Sequence, residues 1–305
     1  MWVKSMTMGA IEWLLLATLS ALWGGSFFFN ALVLADLPPF TVVFARVAIA
    51  AAALWLLVGL GCHGRAVSPR PWLAFLAMGA LNNIIPFTLI VWGQTRIGSG
   101  LASILNATTP LFTVVFAHWL TGDEPMTRAR VAGVVCGLLG VAVMIGASAI
   151  EQLGLDVIAQ LAIIGAAISY ALAGIFGRRF TTTPPMVTAA GQLGASALMM
   201  LPLVLVADRP WTLAAPAPQT WAAVLGLSLL STALAYVIYF RLLARAGATN
   251  LMLVTFLIPV SALLLATTVL GEVLEARQVA GMLLIALGLA AIDGRLLSIW
   301  RTVES

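Results

Sequence analysis

Apolar runs of about 20 residues alternate with short polar stretches along almost the whole chain. A helix needs roughly 20 apolar residues to cross ~30 Å of hydrocarbon, so each run is long enough to span a membrane. There are ten such runs, at about 11–34, 39–60, 72–95, 100–120, 127–147, 156–176, 185–206, 219–240, 250–270 and 277–297. The pattern predicts an all-α integral membrane protein with ten transmembrane helices and loops too short for a soluble domain.

The charged residues follow membrane topology. Only 9% of the 305 residues are charged, against about 25% in soluble domains. With a cytoplasmic N-terminus, eleven of the 15 Lys and Arg residues lie inside, Arg46 lies within the membrane, and three (Arg96, Arg209 and Arg277) lie outside. This positive-inside bias predicts that both termini are cytoplasmic. The positive charges are not clustered, so no nucleic-acid partner is expected.

The two halves of the chain repeat each other. Shifts of 146 to 149 residues superpose, in order, Pro38-Pro39 on Pro184-Pro185, Arg96 on Arg245, Pro110 on Pro259 and Glu124 on Glu272. We predict two repeats, residues 1–150 with helices 1–5 and residues 151–305 with helices 6–10. Because five is odd, the second repeat is inverted, an architecture of secondary transporters whose site lies between the repeats. The alternative is a chance alignment of Ala-, Leu- and Gly-rich helices.

Polar and aromatic positions at helical spacing define a candidate substrate path. Polar groups in lipid are costly, so they face the bundle interior or a wet cavity. Helical periodicity gathers them on helices 1, 3, 4, 6, 8 and 9. The candidate binding residues are Trp23, Phe27, Asn30, Asn82, Asn83, Phe87, Asn106, Thr109, Pro110, Tyr170, Ser231, Thr232, Tyr236, Thr255 and Pro259. The alternative is that each of these residues only bonds neighbouring helices to one another.

Helices 5 and 10 carry glycines instead of polar groups. Small residues at such spacing let membrane helices approach closely. We therefore predict that these two helices pack as a scaffold, with a homodimer surface left open and a monomer sufficient for function.

Residues 105–112, L-N-A-T-T-P-L-F, place a polar stretch and a proline inside a membrane run. A proline removes one helix hydrogen bond and frees a carbonyl, and such breaks are tolerated where the backbone lines a wet cavity. We predict that Pro110 and its counterpart Pro259 break helices 4 and 9, with freed carbonyls available to a substrate and the kinks acting as hinges. The alternative is a static kink that serves packing.

Five charged residues need separate interpretations. Arg46 bonds backbone carbonyls between helices, reaches toward a membrane interface, or attracts a substrate carboxylate. Of these roles, the structural ones are favoured. Glu124 and Glu272 precede helices, where a carboxylate stabilises the positive end of the helix dipole. The alternative is a pair of gate latches, Arg96–Glu272 outside and Arg245–Glu124 inside.

Several function classes are disfavoured. The chain lacks the paired acids, Ser-His or Ser-Lys set or metal cluster that an intramembrane enzyme needs, and no cofactor or metal is expected. A channel or a receptor remains as a weaker alternative. No acidic residue lies near a helix centre, which favours efflux down the substrate's own gradient. With only Arg46 in the membrane, nucleotide sugars are disfavoured, whereas neutral, partly apolar solutes such as amino acids fit, as do hydrophobic drugs.

Four local motifs carry a family resemblance. They are A-L-W-G (21–24), Arg46 after the Pro-Pro turn, A-S-I-L-N-A-T-T-P (102–110) and G-D-E (122–124). Their order, with the five-plus-five plan, resembles the EamA type of the drug/metabolite transporter superfamily, and bacterial exporters of amino acids and related metabolites in particular. The resemblance implies a multi-pass exporter in the bacterial cytoplasmic (inner) membrane, with a small-molecule substrate and the lipid bilayer as its partners.

Overall fold

The described part of the chain forms ten long helices. The computed structural model describes residues 8–60, 72–121, 126–145, 155–180, 182–251 and 253–293. The helices are α1 (Ala10–Val33), α2 (Pro39–Leu60), α3 (Trp72–Gly93), α4 (Ser99–Leu120), α5 (Arg128–Ile145), α6 (Leu155–Gly177), α7 (Pro185–Asp208), α8 (Pro218–Gly247), α9 (Val254–Thr268) and α10 (Ala276–Asp293). Within the described residues, seven of them, all but α5, α9 and α10, are long and apolar enough to cross a membrane. The predicted all-α membrane fold is confirmed.

The ends of several helices follow from single residues. Pro39 and Pro185 open α2 and α7, where a missing backbone N–H costs nothing. Gly247, with φ 78°, ends α8, because the left-handed region suits glycine and no other common residue. The chain then turns at Leu253, so α9 begins a few residues later than its apolar run predicts.

The helices pack in pairs that the internal repeat relates to each other. Two helices lie against their own counterparts, α2 on α7 and α5 on α10. Other large contacts have a counterpart in which each helix is replaced by its repeat partner. The α1–α9 contact matches α6–α4, the α3–α6 contact matches α8–α1, and the α2–α8 contact matches α7–α3. This is the pattern expected when two five-helix repeats of opposite topology are related by a pseudo-two-fold axis.

The contact between α5 and α10 locates that axis. The thiol of Cys136 donates to the carbonyl oxygen of Leu284 at 3.4 Å, and these two residues are counterparts at a shift of 148. A residue touches its own counterpart only near the axis. Around this point the backbones meet at glycines, and the close contacts are Gly133 with Gly288 and Gly140 with Gly281. The glycine faces are therefore used inside the chain, and a homodimer stays a prediction.

Filling the α5–α10 contact should destabilise the protein. A Cβ at Gly288 would lie 2.5 Å from the carbonyl oxygen of Gly133, and overpacking of this kind costs about 1–3 kcal/mol or more. We expect Gly288→Leu to lower the melting temperature in detergent by several degrees, measured by tryptophan fluorescence. Gly59→Ala is the matched control, because nothing lies within 4 Å of a Cβ there. An unchanged melting temperature for Gly288→Leu would contradict the packing described.

Candidate substrate site between the repeats

Two counterpart helices are widened at the centre of the bundle. In α3 the segment Ala80–Ile84 is π-helical, and in α8 the segment Gly226–Leu234 is π-helical. The hydroxyl of Thr232 donates to the carbonyl oxygen of Leu227, five residues earlier, at 2.8 Å. π-Helical segments are rare and occur frequently at functional sites. These two segments carry four of the candidate residues, Asn82, Asn83, Ser231 and Thr232.

Arg46 reaches from α2 to both α8 and α3. Its Nε–H donates to Oγ1 of Thr232 at 2.9 Å, and its guanidinium carbon lies 3.7 Å from the centroid of the Phe87 ring. The Phe87 ring in turn meets Tyr170 of α6 edge-on, with 6.5 Å between ring centroids. The Arg46 side chain is only 6% exposed. Arg46 is therefore held between the two repeats, as in the structural alternative, but through a hydroxyl and an aromatic ring.

Asn82 makes the neighbouring link between α3, α7 and α8. Its Nδ2 donates to the hydroxyl oxygen of Tyr236 at 2.8 Å and to Oε1 of Gln192 at 3.1 Å. We call the residues Arg46, Asn82, Phe87, Tyr170, Gln192, Thr232 and Tyr236 the central cluster. It contains five of the predicted binding residues together with Arg46.

Part of the central cluster is exposed. Asn82, Tyr170 and Tyr236 are only half-buried although they lie inside the bundle. Gly174 lies one helical turn beyond Tyr170, on the same face of α6, and nothing lies within 4 Å of a Cβ built there. Gly174 is exposed, so this face of α6 has no packing partner at that level.

Other candidate residues bond helices to one another outside the cluster. Asn30 of α1 donates to Oε1 of Gln94 at 2.9 Å, and Gln94 donates to the carbonyl oxygen of Phe27 at 2.9 Å. Asn83 donates to Oγ of Ser196 at 3.0 Å. Trp23 packs against Tyr239, with ring centroids 5.7 Å apart. For these positions the interhelical role accounts for the contacts seen.

Thr255 and Pro259 lie elsewhere. They line a separate, mostly apolar cavity of about 160 Å³ together with Phe256, Met282 and other residues of α4, α9 and α10. The structure does not bring them to the central cluster, because α9 packs its opposite side on α1. That contact is close: a Cβ on Gly24, the glycine of the A-L-W-G motif, would lie 2.8 Å from the backbone nitrogen of Ala262.

The polar stretch in α4 satisfies its own backbone. The helix is interrupted between Ser99–Asn106 and Thr109–Leu120, and Pro110 lies in the first turn of the second half. Pro110 cannot donate to the carbonyl oxygen of Asn106, and the hydroxyl of Thr109 donates to that oxygen instead, at 2.8 Å. The prediction that this carbonyl is free for a substrate is wrong. The predicted match with α9 also fails, because Pro259 lies inside the uninterrupted helix Val254–Thr268.

A few buried oxygen atoms remain without a partner in the described part of the chain. Those on candidate residues are Oδ1 of Asn30, Asn83 and Asn106 and Oγ of Ser231. A buried acceptor without a donor is costly and calls for a functional explanation. These oxygens could each accept one further hydrogen bond.

Carboxylates bind the helix N-termini at one end of the bundle, which we call the Glu272 end. Glu272 accepts hydrogen bonds from the backbone N–H of Ser99 at 2.7 Å, from its hydroxyl at 2.6 Å and from the N–H of Gly100 at 3.0 Å. Asp208 accepts from the N–H and hydroxyl of Thr41 at 2.6 and 2.9 Å. Because each carboxylate and each helix N-terminus come from different repeats, these bonds fasten the two repeats together.

Asp36 makes a third bond of this kind. It accepts hydrogen bonds from the hydroxyl of Thr220 and from the N–H of Ala217 at the start of α8. The Thr220 hydroxyl, and then the Ala217 N–H, hold the pKa of Asp36 below its ordinary value. The carboxylate therefore stays ionised where it stabilises the positive end of the helix.

The proposed outer gate latch, Arg96–Glu272, is not formed in this structure. Glu272 bonds the start of α4, and neither ion pair among the described residues involves Arg96. At the opposite end, which we call the Arg245 end, Arg245 pairs with Glu12 at 2.8 Å. Glu124 lies outside the described residues. Glu272 caps a helix, as the first interpretation predicts. The capped helix, however, is α4 of the other repeat and not α10, which follows Glu272 in the sequence.

Sequence reasoning missed the contribution of α7. Gln192 and Ser196 of α7 are buried and bond Asn82 and Asn83. This helix has few polar residues, so no stripe marked it as part of the path. The spacing of Gln192 and Ser196, one turn apart in an apolar run, was the signal that could have found them.

The fold and the site define a class: two inverted five-helix repeats that meet at a polar and aromatic cluster form a membrane transporter. The model of the EamA-like transporter family matches residues 11–146 and again residues 157–292. The chain therefore belongs to the EamA-like transporter family, within the drug/metabolite transporter superfamily. Membership also confirms that it is not an enzyme.

Relatives extend over most of the chain. The uncharacterized transporter YoaV of Bacillus subtilis is 25% identical over 280 residues, 89% of this chain and 93% of its own. The uncharacterized inner membrane transporter YedA of Escherichia coli is 27% identical over 262 residues, which cover 85% of this chain and 83% of its own. A probable terminal-alkyne amino-acid exporter of Streptantibioticus cattleyicolor is 28% identical over 251 residues, which cover 81% of this chain and 80% of its own.

A solved crystal structure shares the fold. It superposes with a TM-score of 0.67 and 22% identity, covering 98% of this chain and 100% of the other.

The hydroxyl of Thr109 should matter more than that of Thr113. Thr109→Val leaves the Asn106 carbonyl without its donor, which costs about 1–3 kcal/mol. The Thr113 hydroxyl donates to the carbonyl oxygen of Thr109 at 2.9 Å. That carbonyl keeps a helix hydrogen bond from a backbone N–H when the hydroxyl is removed, so Thr113→Val is the matched control. We expect thermal unfolding in detergent to show a clear loss of stability for Thr109→Val alone. Equal losses for both variants would contradict the assignment.

A double-mutant cycle should separate the cap from the latch. We expect Glu272→Ala and Ser99→Ala to couple by about 0.5–3 kcal/mol, because one removes the partner of the other. Glu272→Ala and Arg96→Ala should be additive within about 0.5 kcal/mol. Free energies of unfolding in mixed micelles give both values. If Glu272→Ala instead couples to Arg96→Ala and not to Ser99→Ala, the gate-latch interpretation of Glu272 is favoured over the cap.

Proposed function

We propose that this protein exports small metabolites without net charge, in particular amino acids with apolar or aromatic side chains, by alternating access between the two repeats. The observation that carries the proposal is the central cluster. It combines aromatic rings, amides and a hydroxyl from both repeats at the level of the two π-helical segments. Apolar walls with a few placed polar groups are typical of small-molecule sites.

The two ends of the bundle support an alternating mechanism. Three carboxylates tie the repeats together at the Glu272 end, whereas the ion pair at the Arg245 end, between Arg245 and Glu12, is exposed. The positive-inside bias assigns the Arg245 end to the cytoplasm. In the proposed mechanism the central cluster is reached from the cytoplasm of a bacterial inner membrane, and release of the Glu272-end bonds opens the outer side.

The assignment of amino acids has two supports. The central cluster offers the rings of Phe87 and Tyr170 for an apolar side chain, and its amides and phenolic hydroxyls for the polar groups of an amino acid. A relative 28% identical over 251 residues is a probable terminal-alkyne amino-acid exporter. The direction of transport follows from that relative and from the family resemblance.

The second candidate is a multidrug exporter that accepts lipophilic cations. The observation in its favour is the aromatic character of the lining, since aromatic rings attract cations through their faces. Arg46 already covers the face of the Phe87 ring. The rings that a substrate cation could contact are therefore those of Tyr170, Tyr236 and Trp23.

Counterflow in proteoliposomes with no ion gradient tests the proposal. Liposomes loaded with unlabelled phenylalanine or threonine should accumulate the labelled compound, whereas a nucleotide sugar should give no counterflow. Tyr170→Ala should lower phenylalanine counterflow at least tenfold, because it removes a wall of the cluster. Trp221→Ala, which removes an exposed aromatic side chain, should leave it unchanged. Silence with both amino acids and counterflow of tetraphenylphosphonium would establish the drug exporter instead.

A further inference from the structure

We propose that the guanidinium group of Arg46 is the receptor for a carboxylate on the substrate, so that the transported metabolites are zwitterions such as amino acids. The inference rests on the proposed function and names the chemical group that the central cluster recognises. It is carried by the surroundings of Arg46, by the second repeat and by the orientation of Tyr236.

Arg46 is a buried cation with few partners. Its Nε–H has one acceptor, Oγ1 of Thr232 at 2.9 Å, and its face lies on Phe87. No carboxylate pairs with it among the residues that the structure describes. Ionised side chains inside membrane proteins usually pair with a charge or a carbonyl, because an isolated charge there is costly. The planar guanidinium fork is the shape that binds a carboxylate through two parallel hydrogen bonds.

The second repeat shows that packing does not require this charge. Gln192 is the counterpart of Arg46, seven residues after Pro185 as Arg46 is seven after Pro39. Arg46 bonds the π-helical segment of α8, and Gln192 bonds Asn82 in the π-helical segment of α3. The same interhelical link is thus made once with a neutral amide and once with a cation. The charge of Arg46 is additional to what the link needs, which points to a ligand.

Tyr236 supplies a second donor beside Arg46. Its hydroxyl oxygen accepts a hydrogen bond from Asn82 at 2.8 Å, so its own proton remains to be donated. Tyr236 lies one helical turn after Thr232, the residue that Arg46 bonds, and Tyr170 lies against Phe87, whose ring Arg46 covers. A carboxylate at Arg46 therefore meets a cation and phenolic donors together. Asn82 is a positioning residue, since it orients the Tyr236 hydroxyl and is itself held by Gln192.

The same arrangement disfavours the cationic alternative. A lipophilic cation in the cluster would face a guanidinium of like charge in a medium of low dielectric constant, where repulsion is poorly screened. A zwitterionic amino acid avoids this, because its carboxylate is adjacent to Arg46 and its ammonium can turn away.

A pair of substrates and a pair of variants test the inference. Counterflow is measured for phenylalanine and for phenylalaninamide, which lacks the carboxylate. For phenylalanine we expect Arg46→Gln, the residue of the second repeat, to raise the half-saturation concentration at least tenfold. Arg46→Lys keeps the charge without the fork and should give a smaller increase. Phenylalaninamide, whose protonated amine meets a like charge at Arg46, should move slowly in the wild type and should not be weakened by Arg46→Gln.

Two controls separate recognition from folding. Arg179→Gln removes an exposed arginine that also lies over a phenylalanine ring, Phe176, at 4.9 Å, and it should leave phenylalanine counterflow unchanged. Tyr236→Phe should raise the half-saturation concentration for phenylalanine and not for the amide. If Arg46→Gln weakens both substrates equally, or leaves phenylalanine unchanged, Arg46 is structural and the inference is overturned.

A binding measurement keeps the inference testable if no amino acid is transported. The probe is 3-phenylpropionate, which has a carboxylate and no ammonium, and the readout is the melting temperature of the purified protein. Stabilisation of the wild type but not of Arg46→Gln, without amino-acid transport, would overturn the proposed function and keep the carboxylate site. Equal stabilisation of both proteins, or of neither, would overturn the site. If Arg46→Gln does not fold, Arg46→Lys takes its place in both measurements.

Discussion

The need to satisfy polar groups inside a layer of hydrocarbon governs this structure. In lipid an unpaired backbone or side-chain group has no water to bond, so each polar residue in the helices must find a partner or face a wet space. Most do the former: the hydroxyls of Thr108 and Thr109 bond carbonyls of α4, and Asn83 bonds Ser196. Others bond one another between the repeats, and these form the central cluster.

The inverted repeat supplies both the scaffold and a comparison within one chain. Counterpart helices pack on each other about an axis near Cys136 and Leu284, which fixes the relation of the halves. The halves differ at the site, where Arg46 stands opposite the neutral Gln192. They also differ at the ends, since carboxylates fasten the Glu272 end while an exposed ion pair marks the Arg245 end. Symmetry thus explains the fold, and departures from it point to function.

Much of the fold could be predicted from the sequence, because a membrane span needs a long apolar run and the repeat leaves matching Pro, Arg and Glu residues. The site was less accessible. Periodicity placed Asn82, Tyr170, Thr232 and Tyr236 on inward faces, but it could not show that Thr255 faces a separate cavity. Nor could it show that Glu272 caps a helix of the other repeat, since such contacts depend on tertiary packing. The role of Gln192 was missed because one amide in an apolar helix forms no stripe.

The most direct test of the account is a structure of the protein determined with phenylalanine bound. The account predicts that the ligand lies in the central cluster, with its carboxylate within hydrogen-bond distance of Arg46 and Tyr236 and its ring against Phe87 or Tyr170. A ligand in the apolar cavity between α4, α9 and α10, beside Thr255 and Pro259, would contradict it. So would a ligand in the cluster with its ammonium group toward Arg46.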